Sequence, residues 1–204
     1  MRKEKYIPII TIFLLAVNVG VFLLSEFTGN WIQDMGGSYG PDIVQGHQYY
    51  RLITHFFIHF GFDHLFNNMV SLMVLGYSLE GIYGRWRFLL LYFLSGFLAG
   101  VTSLVYTTLF LPPEEAPLSC GASGAIYGLM GGLLMLLVVE NRRFGGAQLP
   151  RYLLFLALSL YSGIMDTSID NAAHIGGFVA GCLIGFVIQK RRSGSYANGG
   201  NYAS

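Results

Sequence analysis

The sequence GASGAIYGLMGGLLMLLVV, at residues 121–139, carries no charged side chain over 19 residues. A helix of about 20 apolar residues crosses the hydrocarbon core of a bilayer, which is about 30 Å thick. Glycines recur in it every three or four residues, at Gly121, Gly124, Gly128 and Gly131, and so share one helical face. Because such a face lets a second membrane helix approach closely, the stretch predicts a spanning helix with a tightly packed partner.

The composition of the whole chain is that of a membrane protein. Of its 204 residues, 53% are hydrophobic and 11% are charged, and the mean hydropathy is +0.54. Soluble domains carry about 25% charged residues, so most of this surface is expected to face lipid. The net charge of +1 gives no reason to expect a nucleic-acid partner. Cys120 and Cys182 are too few for a disulfide framework; a single bridge stays open, and buried thiols are the preferred interpretation.

Apolar stretches of spanning length predict six membrane helices. They cover approximately residues 6–25, 64–83, 88–110, 121–139, 152–169 and 172–188. The first follows a basic N-terminus, as a signal peptide does, but no small-residue cleavage site closes it, so we expect it to remain as an anchor. The sequence therefore predicts an all-α, multi-pass bundle of six transmembrane helices over residues 1–192. A disordered cytoplasmic tail, rich in Gly, Ser and Asn, is expected over residues 193–204.

The positions of the basic residues predict how the bundle is oriented. Eleven of the twelve lie in the N-terminal tail, the second and fourth loops or the C-terminal tail: Arg2, Lys3, Lys5, Arg85, Arg87, Arg142, Arg143, Arg151, Lys190, Arg191 and Arg192. The opposite side holds Arg51 with seven carboxylates: Asp34, Asp42, Asp63, Glu114, Glu115, Asp166 and Asp170. Since Lys and Arg are retained on the cytoplasmic side, both termini are predicted to be cytoplasmic.

The first outer loop, residues 26–63, is much longer than the other connections and unusually aromatic. It contains Trp31, Tyr39, Tyr49, Tyr50, Phe56, Phe57, Phe60 and Phe62. Aromatic rings favour the membrane interface, so we expect the loop to lie there or to insert into the protein. The alternative is a loop that simply covers the outer ends of the helices.

Polar residues within membrane spans are costly and by default indicate function, and four of those in the predicted spans stand out. His64 and Asn68 share one face of the second span, Ser123 lies near the start of the fourth, and His174 lies near the start of the sixth. These three spans all begin at the outer side, so the four residues are expected at a similar depth.

A second stripe of small residues predicts that Ser123 and His174 meet. On the sixth span Ala173, Gly177, Gly181 and Gly185 recur every four residues, and we expect them to pack on the glycine face of the fourth. This packing would bring the two side chains within about 2.6–3.2 Å, the distance a general base needs to activate a hydroxyl. The pair is then a nucleophile with its base.

Each of these residues also has an ordinary interpretation. A membrane-helix serine usually bonds its own backbone, and glycine stripes occur in channels and transporters. His55, His59 and His64 could suggest a metal, but the HExxH pattern is absent and no carboxylate neighbours them on a helix, so no metal or cofactor is expected.

The sequence leaves the roles of two further residues open and excludes a third from the chemistry. Tyr127 either packs beside His174 or belongs to the core. Asp170 either orients the imidazole as the third member of a triad or is a solvated loop carboxylate. Glu80 lies about 24 Å from His64 along the helix and is too distant for the chemistry.

Three motifs together resemble those of the rhomboid intramembrane serine proteases. They are HFFIHFGFDHLFNN at residues 55–68, GASG at residues 121–124 and AHIGGFVAG at residues 173–181. The likeness extends from about residue 50 to residue 185 and corresponds to the minimal six-span form. GASG is not the hydrolase elbow G-x-S-x-G, because Ala125 stands where the last glycine would be. The first loop has Tyr50-Arg51 where the family often has Trp-Arg, which leaves the seating of that loop open.

The resemblance implies roles for individual residues. Ser123 would be the nucleophile and His174 the general base and acid, without a carboxylate. His64 and Asn68, with the backbone N–H of Ser123, would stabilise the oxyanion. The resemblance also implies that the supporting residues pack around this dyad: Tyr127 against the histidine, with Gly121, Gly124, Gly177 and Gly181 at the close approaches.

The same resemblance implies a setting for the reaction. It implies single-span membrane proteins as substrates, entering laterally past a mobile fifth span, with the site open to the outer side of a bacterial cell membrane. Two alternatives remain: a catalytically silent protein that binds transmembrane helices of clients, and a small transporter or channel. The first would lack the nucleophile or base, and the second would carry polar residues through the whole membrane thickness.

Overall fold

The computed structural model describes residues 6–29, 31–140, 148–165 and 169–199. Within these ranges the long helices are α1 (Ile9–Thr28), α2 (Phe62–Tyr83), α3 (Arg85–Phe110), α4 (Ser123–Val139), α5 (Gln148–Met165) and α6 (Asn171–Gly199). They confirm the six predicted helices, with ends displaced by a few residues. By length and composition α1, α3 and residues Asn171–Arg191 of α6 can cross a membrane, and α4 is a shorter apolar helix. The chain is an all-α, multi-pass membrane protein.

At the C-terminal end α6 continues to Gly199. The disordered tail expected over residues 193–204 stays a prediction. Residues 200–204 lie outside the described ranges. So do five of the basic residues and one acid used to predict orientation: Arg2, Lys3, Lys5, Arg142, Arg143 and Asp166.

The helix α4 lies at the centre of the bundle, packed against α6, α3 and α2. Its residues from Gly124 to Gly132 are all buried, which explains why the sequence is apolar all round rather than on one stripe. Two tyrosine hydroxyls from neighbouring helices donate to its backbone: Tyr83 Oη to Gly132 O at 2.8 Å, and Tyr152 Oη to Met130 O at 2.5 Å.

The two small-residue stripes pack as predicted. A Cβ added to Gly177 would collide with the carbonyl oxygen of Gly124, and one added to Gly181 would collide with that of Gly128. Farther along, a Cβ on Gly185 would lie 2.8 Å from Gly132 Cα. The backbones of α4 and α6 are therefore in direct contact, which only glycine permits.

A buried carboxylate ties α1 to α2 near the start of α1. Glu80 is fully buried and accepts hydrogen bonds from Thr11 N at 2.8 Å, Thr11 Oγ1 at 2.7 Å and Ile10 N at 3.1 Å. The first amides of a helix have no partner within the helix, and this carboxylate supplies one. Glu80 and His64 lie on the same helix, so the rise of about 1.5 Å per residue separates them by about 24 Å and leaves Glu80 a structural role.

The long outer loop is folded rather than extended over the surface. It contains short helices at Trp31–Gly36, Gly40–Val44 and Arg51–Thr54, and a 3-10 turn at His55–Phe57. Phe56 is 1% exposed, whereas Trp31 is 63% exposed. The loop therefore inserts some side chains into the protein and leaves other aromatic rings on the outside, where an interface would accept them.

Arg51 holds this loop together from the inside. The side chain is buried and makes an ion pair with Asp42 at 2.7 Å. It also donates to Asp34 O and Gly37 O, both at 2.8 Å, and to Gln48 Oε1 at 2.8 Å. The five N–H donors of a guanidinium suit such a junction between short helices and the turns that connect them.

Candidate active site

Ser123 and His174 lie within hydrogen-bonding distance of each other. Ser123 Oγ is 2.9 Å from His174 Nε2, although the residues are 51 positions apart in the chain. Ser123 is the first residue of α4, and His174 lies in the first turn of α6. The contact between Gly124 and Gly177, which follow these residues in their helices, sets the backbones close enough for the side chains to meet.

The imidazole of His174 is held from the side by Tyr127. The two rings stack with their centroids 4.1 Å apart and their planes inclined by 18°. Tyr127 Oη donates to Ser159 O of α5 at 3.2 Å, so the tyrosine is itself fixed at its far end. Both interpretations of Tyr127 hold, because the ring packs beside the histidine and the residue also belongs to the buried core.

The second ring nitrogen, His174 Nδ1, is buried and has no hydrogen-bond partner among the described residues. Asp170 was considered as a third member of a triad or as a solvated carboxylate, and the structure shows neither. Its Oδ2 accepts from Ser103 Oγ at 2.5 Å and Ser119 Oγ at 2.8 Å, and its Oδ1 accepts from Ala173 N at 2.9 Å. Among the described residues, the arrangement is therefore a Ser–His pair without an orienting acid.

His64 and Asn68 lie against the segment that precedes the serine. Gly121 adopts φ +126°, and a Cβ there would lie 2.8 Å from His64 Nε2 and 3.7 Å from Asn68 Nδ2. The position thus requires glycine both for its backbone conformation and for space. Asn68 Nδ2 also donates to His64 O, one turn earlier in α2, at 3.1 Å, and this bond fixes the orientation of the amide. All four predicted polar residues meet in one region.

The segment before Ser123 is anchored to the long outer loop. Ser119 and Ser38 form an isolated antiparallel bridge with N···O distances of 2.9 and 2.8 Å, and Gly121 N donates to His55 O at 2.9 Å. The backbone that leads to Ser123 is thus fixed by three main-chain hydrogen bonds.

His55 and His59 are buried beside this segment. His55 Nδ1 bonds Arg51 O at 2.8 Å, and the ring of His59 meets that of His64 edge-on at 5.0 Å. Burial lowers the pKa of His55 to about 4 and that of His59 to about 3, so both are neutral at pH 7. In the part of the chain that the structure describes, no three His, Cys, Asp or Glu side chains are placed to hold a metal ion.

Both cysteines are free thiols, so they do not form the single bridge left open by the sequence. Cys120 is buried in the loop before α4, and Cys182 is half-buried on α6. The expectation of buried thiols is thus met fully by Cys120 and partly by Cys182.

Sequence reasoning missed the parts of the site made by long-range side-chain contacts. The sequence indicates Arg51 only as a charge on the outer side and as part of the Tyr50-Arg51 pair in the first loop, and it does not single out Ser103 or Ser119. A signal did exist for Asp170, since an acidic residue directly before an apolar helical run is a typical N-cap. Nothing in the local sequence indicates its two serine partners.

The chain is similar in sequence to proteins of one known family. The Rhomboid domain family matches residues 46–191. "RHOMBOID-like protein 1" of Arabidopsis thaliana is 35% identical over 169 residues, which cover 82% of this chain and 41% of that protein. "Rhomboid protease GluP" of Bacillus subtilis (strain 168) is 29% identical over 194 residues, covering 93% of this chain and 36% of the relative.

A relative of similar length also matches. "Putative rhomboid protease YdcA" of Bacillus subtilis (strain 168) is 28% identical over 192 residues, covering 93% of this chain and 92% of the relative. Several of the other curated relatives are longer, and the matched part spans about two fifths of their length. The domain match covers well over half of the chain and includes every residue of the polar cluster. The chain belongs to the rhomboid family.

Proposed function

We propose that the chain is an intramembrane serine endopeptidase that cleaves transmembrane segments by a Ser123–His174 dyad. The observation that carries the proposal is the 2.9 Å contact between Ser123 Oγ and His174 Nε2 at the ends of two closely packed helices. Two curated relatives are named as rhomboid protease and putative rhomboid protease, which supports the same reaction class.

The first half of the reaction forms an acyl-enzyme. As Ser123 Oγ attacks the carbonyl carbon of the scissile peptide, His174 Nε2 accepts the hydroxyl proton. The C–N bond then breaks, and the proton passes from Nε2 to the leaving amine. His174 must be neutral for this step, so its proton resides on Nδ1, the nitrogen that has no partner in the described structure.

The second half releases the acyl group. A water molecule gives a proton to His174 Nε2 and attacks the ester carbonyl, and the proton returns to Ser123 Oγ as the carboxylate leaves. In both halves negative charge develops on the carbonyl oxygen. We assign its stabilisation to the backbone N–H of Ser123 together with Asn68 and His64, which border the adjacent Gly121.

The position of the site limits the substrates. All four residues lie at the ends of α2, α4 and α6 that adjoin the long outer loop, and the distribution of Lys and Arg assigns this side to the exterior. A site at this depth can receive water from outside while lipid covers its flanks. The proposed substrates are therefore single-span membrane proteins, cut near the outer boundary where their helices can unwind.

The test is cleavage of a tagged single-span protein in liposomes, comparing the wild type with Ser123→Ala and His174→Ala. Ser78→Ala is the matched control, because that serine lies on α2 and bonds only Val74 O of its own helix, at 3.2 Å. We expect cleavage by the wild type and the control and none by the two dyad variants, with equal insertion of all four proteins.

Two outcomes would contradict the proposal. Cleavage that persists in Ser123→Ala would mean that another residue is the nucleophile. Absence of cleavage by the wild type across several substrates, combined with stable binding of their transmembrane helices, would favour a catalytically silent client-binding protein.

A further inference from the structure

We propose that Asp170 is a positioning residue for the dyad, a role that rests on the proposed function. It does not touch the reacting atoms. Instead its carboxylate fixes the segment that leads to Ser123 against the start of the helix that carries His174.

The carboxylate joins three separate parts of the chain. Oδ2 accepts from Ser103 Oγ of α3 at 2.5 Å and from Ser119 Oγ at 2.8 Å, in the loop before α4. Oδ1 accepts from Ala173 N at 2.9 Å, in the first turn of α6. A carboxylate accepts several hydrogen bonds and donates none, so it can serve all three donors at once.

The spacing of these contacts relates them to the dyad. Ser119 precedes Ser123 by four residues, and Asp170 precedes His174 by four. The bond between Ser119 and Asp170 is therefore a second connection between the same two segments that the dyad joins. It adds a polar connection to the glycine contacts between α4 and α6 and fixes the start of α6 against the segment before Ser123. Ser119 is also paired through its backbone with Ser38, so the connection extends into the outer loop.

The simpler alternative is that Asp170 is only a helix cap. Its bond to Ala173 N is that of an ordinary N-cap, and a negative charge at a helix N-terminus is favourable without any role in catalysis. The two serine hydroxyls distinguish the alternatives, because a cap needs neither of them.

The test uses the full chain in liposomes and four variants: Asp170→Ala, Asp170→Asn, the double variant Ser103→Ala with Ser119→Ala, and the control Ser78→Ala. For each we would measure kcat and KM on a single-span substrate, the rate at which a fluorophosphonate labels Ser123, and the thermal unfolding temperature. The labelling rate reports on the dyad in the absence of substrate. Ser123→Ala is the negative control, because it lacks the hydroxyl that the reagent modifies.

We expect Asp170→Ala to lower kcat and the labelling rate by roughly tenfold or more with KM within about twofold, since a displacement of 1 Å can cost about 100-fold. The double serine variant should show a similar loss of kcat although its helix cap is intact. Asp170→Asn should recover activity to within about threefold of the wild type, because the amide can still accept from Ala173 N and can donate to both serine oxygens.

Several results would overturn the proposal. A wild-type kcat in the double serine variant, together with a lowered kcat in Asp170→Ala, would show that Asp170 acts only as a helix cap. A wild-type kcat in Asp170→Ala would show that Asp170 has no positioning role. A raised KM with an unchanged kcat in Asp170→Ala would show that Asp170 affects substrate binding and does not position the dyad. If Asp170→Ala does not fold, the double serine variant and Asp170→Asn decide the question. A wild type that neither cleaves nor becomes labelled would instead contradict the proposed function.

Discussion

Replacing Gly177 by alanine inserts a methyl group between the two helices that carry the dyad. The added Cβ would collide with Gly124 O, and it would lie 3.0 Å from Gly124 C and 3.3 Å from Ala99 Cβ. Ordinary van der Waals contact for a Cβ begins at about 3.4 Å. The obstacle is backbone, which cannot rotate away as the end of a flexible side chain would, so α6 must move relative to α4.

The size of this movement sets the expected loss. Relieving the collision with the carbonyl requires a separation on the order of 1 Å, and a misplacement of that size can cost about 100-fold in rate. The 2.9 Å contact between Ser123 Oγ and His174 Nε2 would be lost with it, because Gly177 lies one turn from His174. Overpacking should also lower the stability of the fold by about 1–3 kcal/mol.

Initial cleavage rates in liposomes and thermal unfolding temperatures would measure both effects. Gly20→Ala is the matched control, since Gly20 lies within α1 and a Cβ there meets no atom within 4 Å. We expect the control to cleave at the wild-type rate and Gly177→Ala to cleave about 100-fold more slowly. Wild-type rate and stability in Gly177→Ala would refute the argument that direct backbone contact positions the dyad.

Three further predictions concern the oxyanion, the fold and its response to acid. We expect Asn68→Ala to lower kcat by about 100-fold to 1,000-fold with little change in KM, as measured by initial rates, because one donor to the oxyanion is lost; an unchanged kcat would contradict this assignment. Glu80→Ala should destabilise the protein by about 1.5–3 kcal/mol in thermal unfolding while kcat per folded molecule stays unchanged, since its three hydrogen bonds are far from the dyad. Acidification should lower the unfolding temperature progressively below about pH 6.5, because burial lowers the pKa of His59 to about 3 and the unfolded chain then binds more protons than the folded one. The loss should be smaller in His59→Phe, and an equal loss would show that His59 does not contribute.

The helices could be predicted from the sequence because each is an apolar run of spanning length. The meeting of Ser123 and His174 could also be predicted, since both adjoin small-residue stripes that favour close packing. In these elements a local pattern carries the information: Gly124 and Gly177 are recognisable as a contact because each belongs to a repeat of small residues along its own helix.

The arrangement of the outer loop and of Asp170 could not be predicted in the same way. Arg51 bonds the backbone of Asp34 and Gly37, and Asp170 bonds Ser103 from 67 positions away, without any periodic pattern that relates the partners. Such contacts depend on how the finished helices place loop segments beside one another.

The proposed mechanism requires that Ser123 is a nucleophile and that His174 activates it. The most direct test is to treat the protein in liposomes with a fluorophosphonate and to locate the adduct by mass spectrometry of its peptides. We expect one modified residue, Ser123, in the wild type and no adduct in His174→Ala at equal protein levels. An adduct on another residue, or equal modification of Ser123 without His174, would contradict the claim.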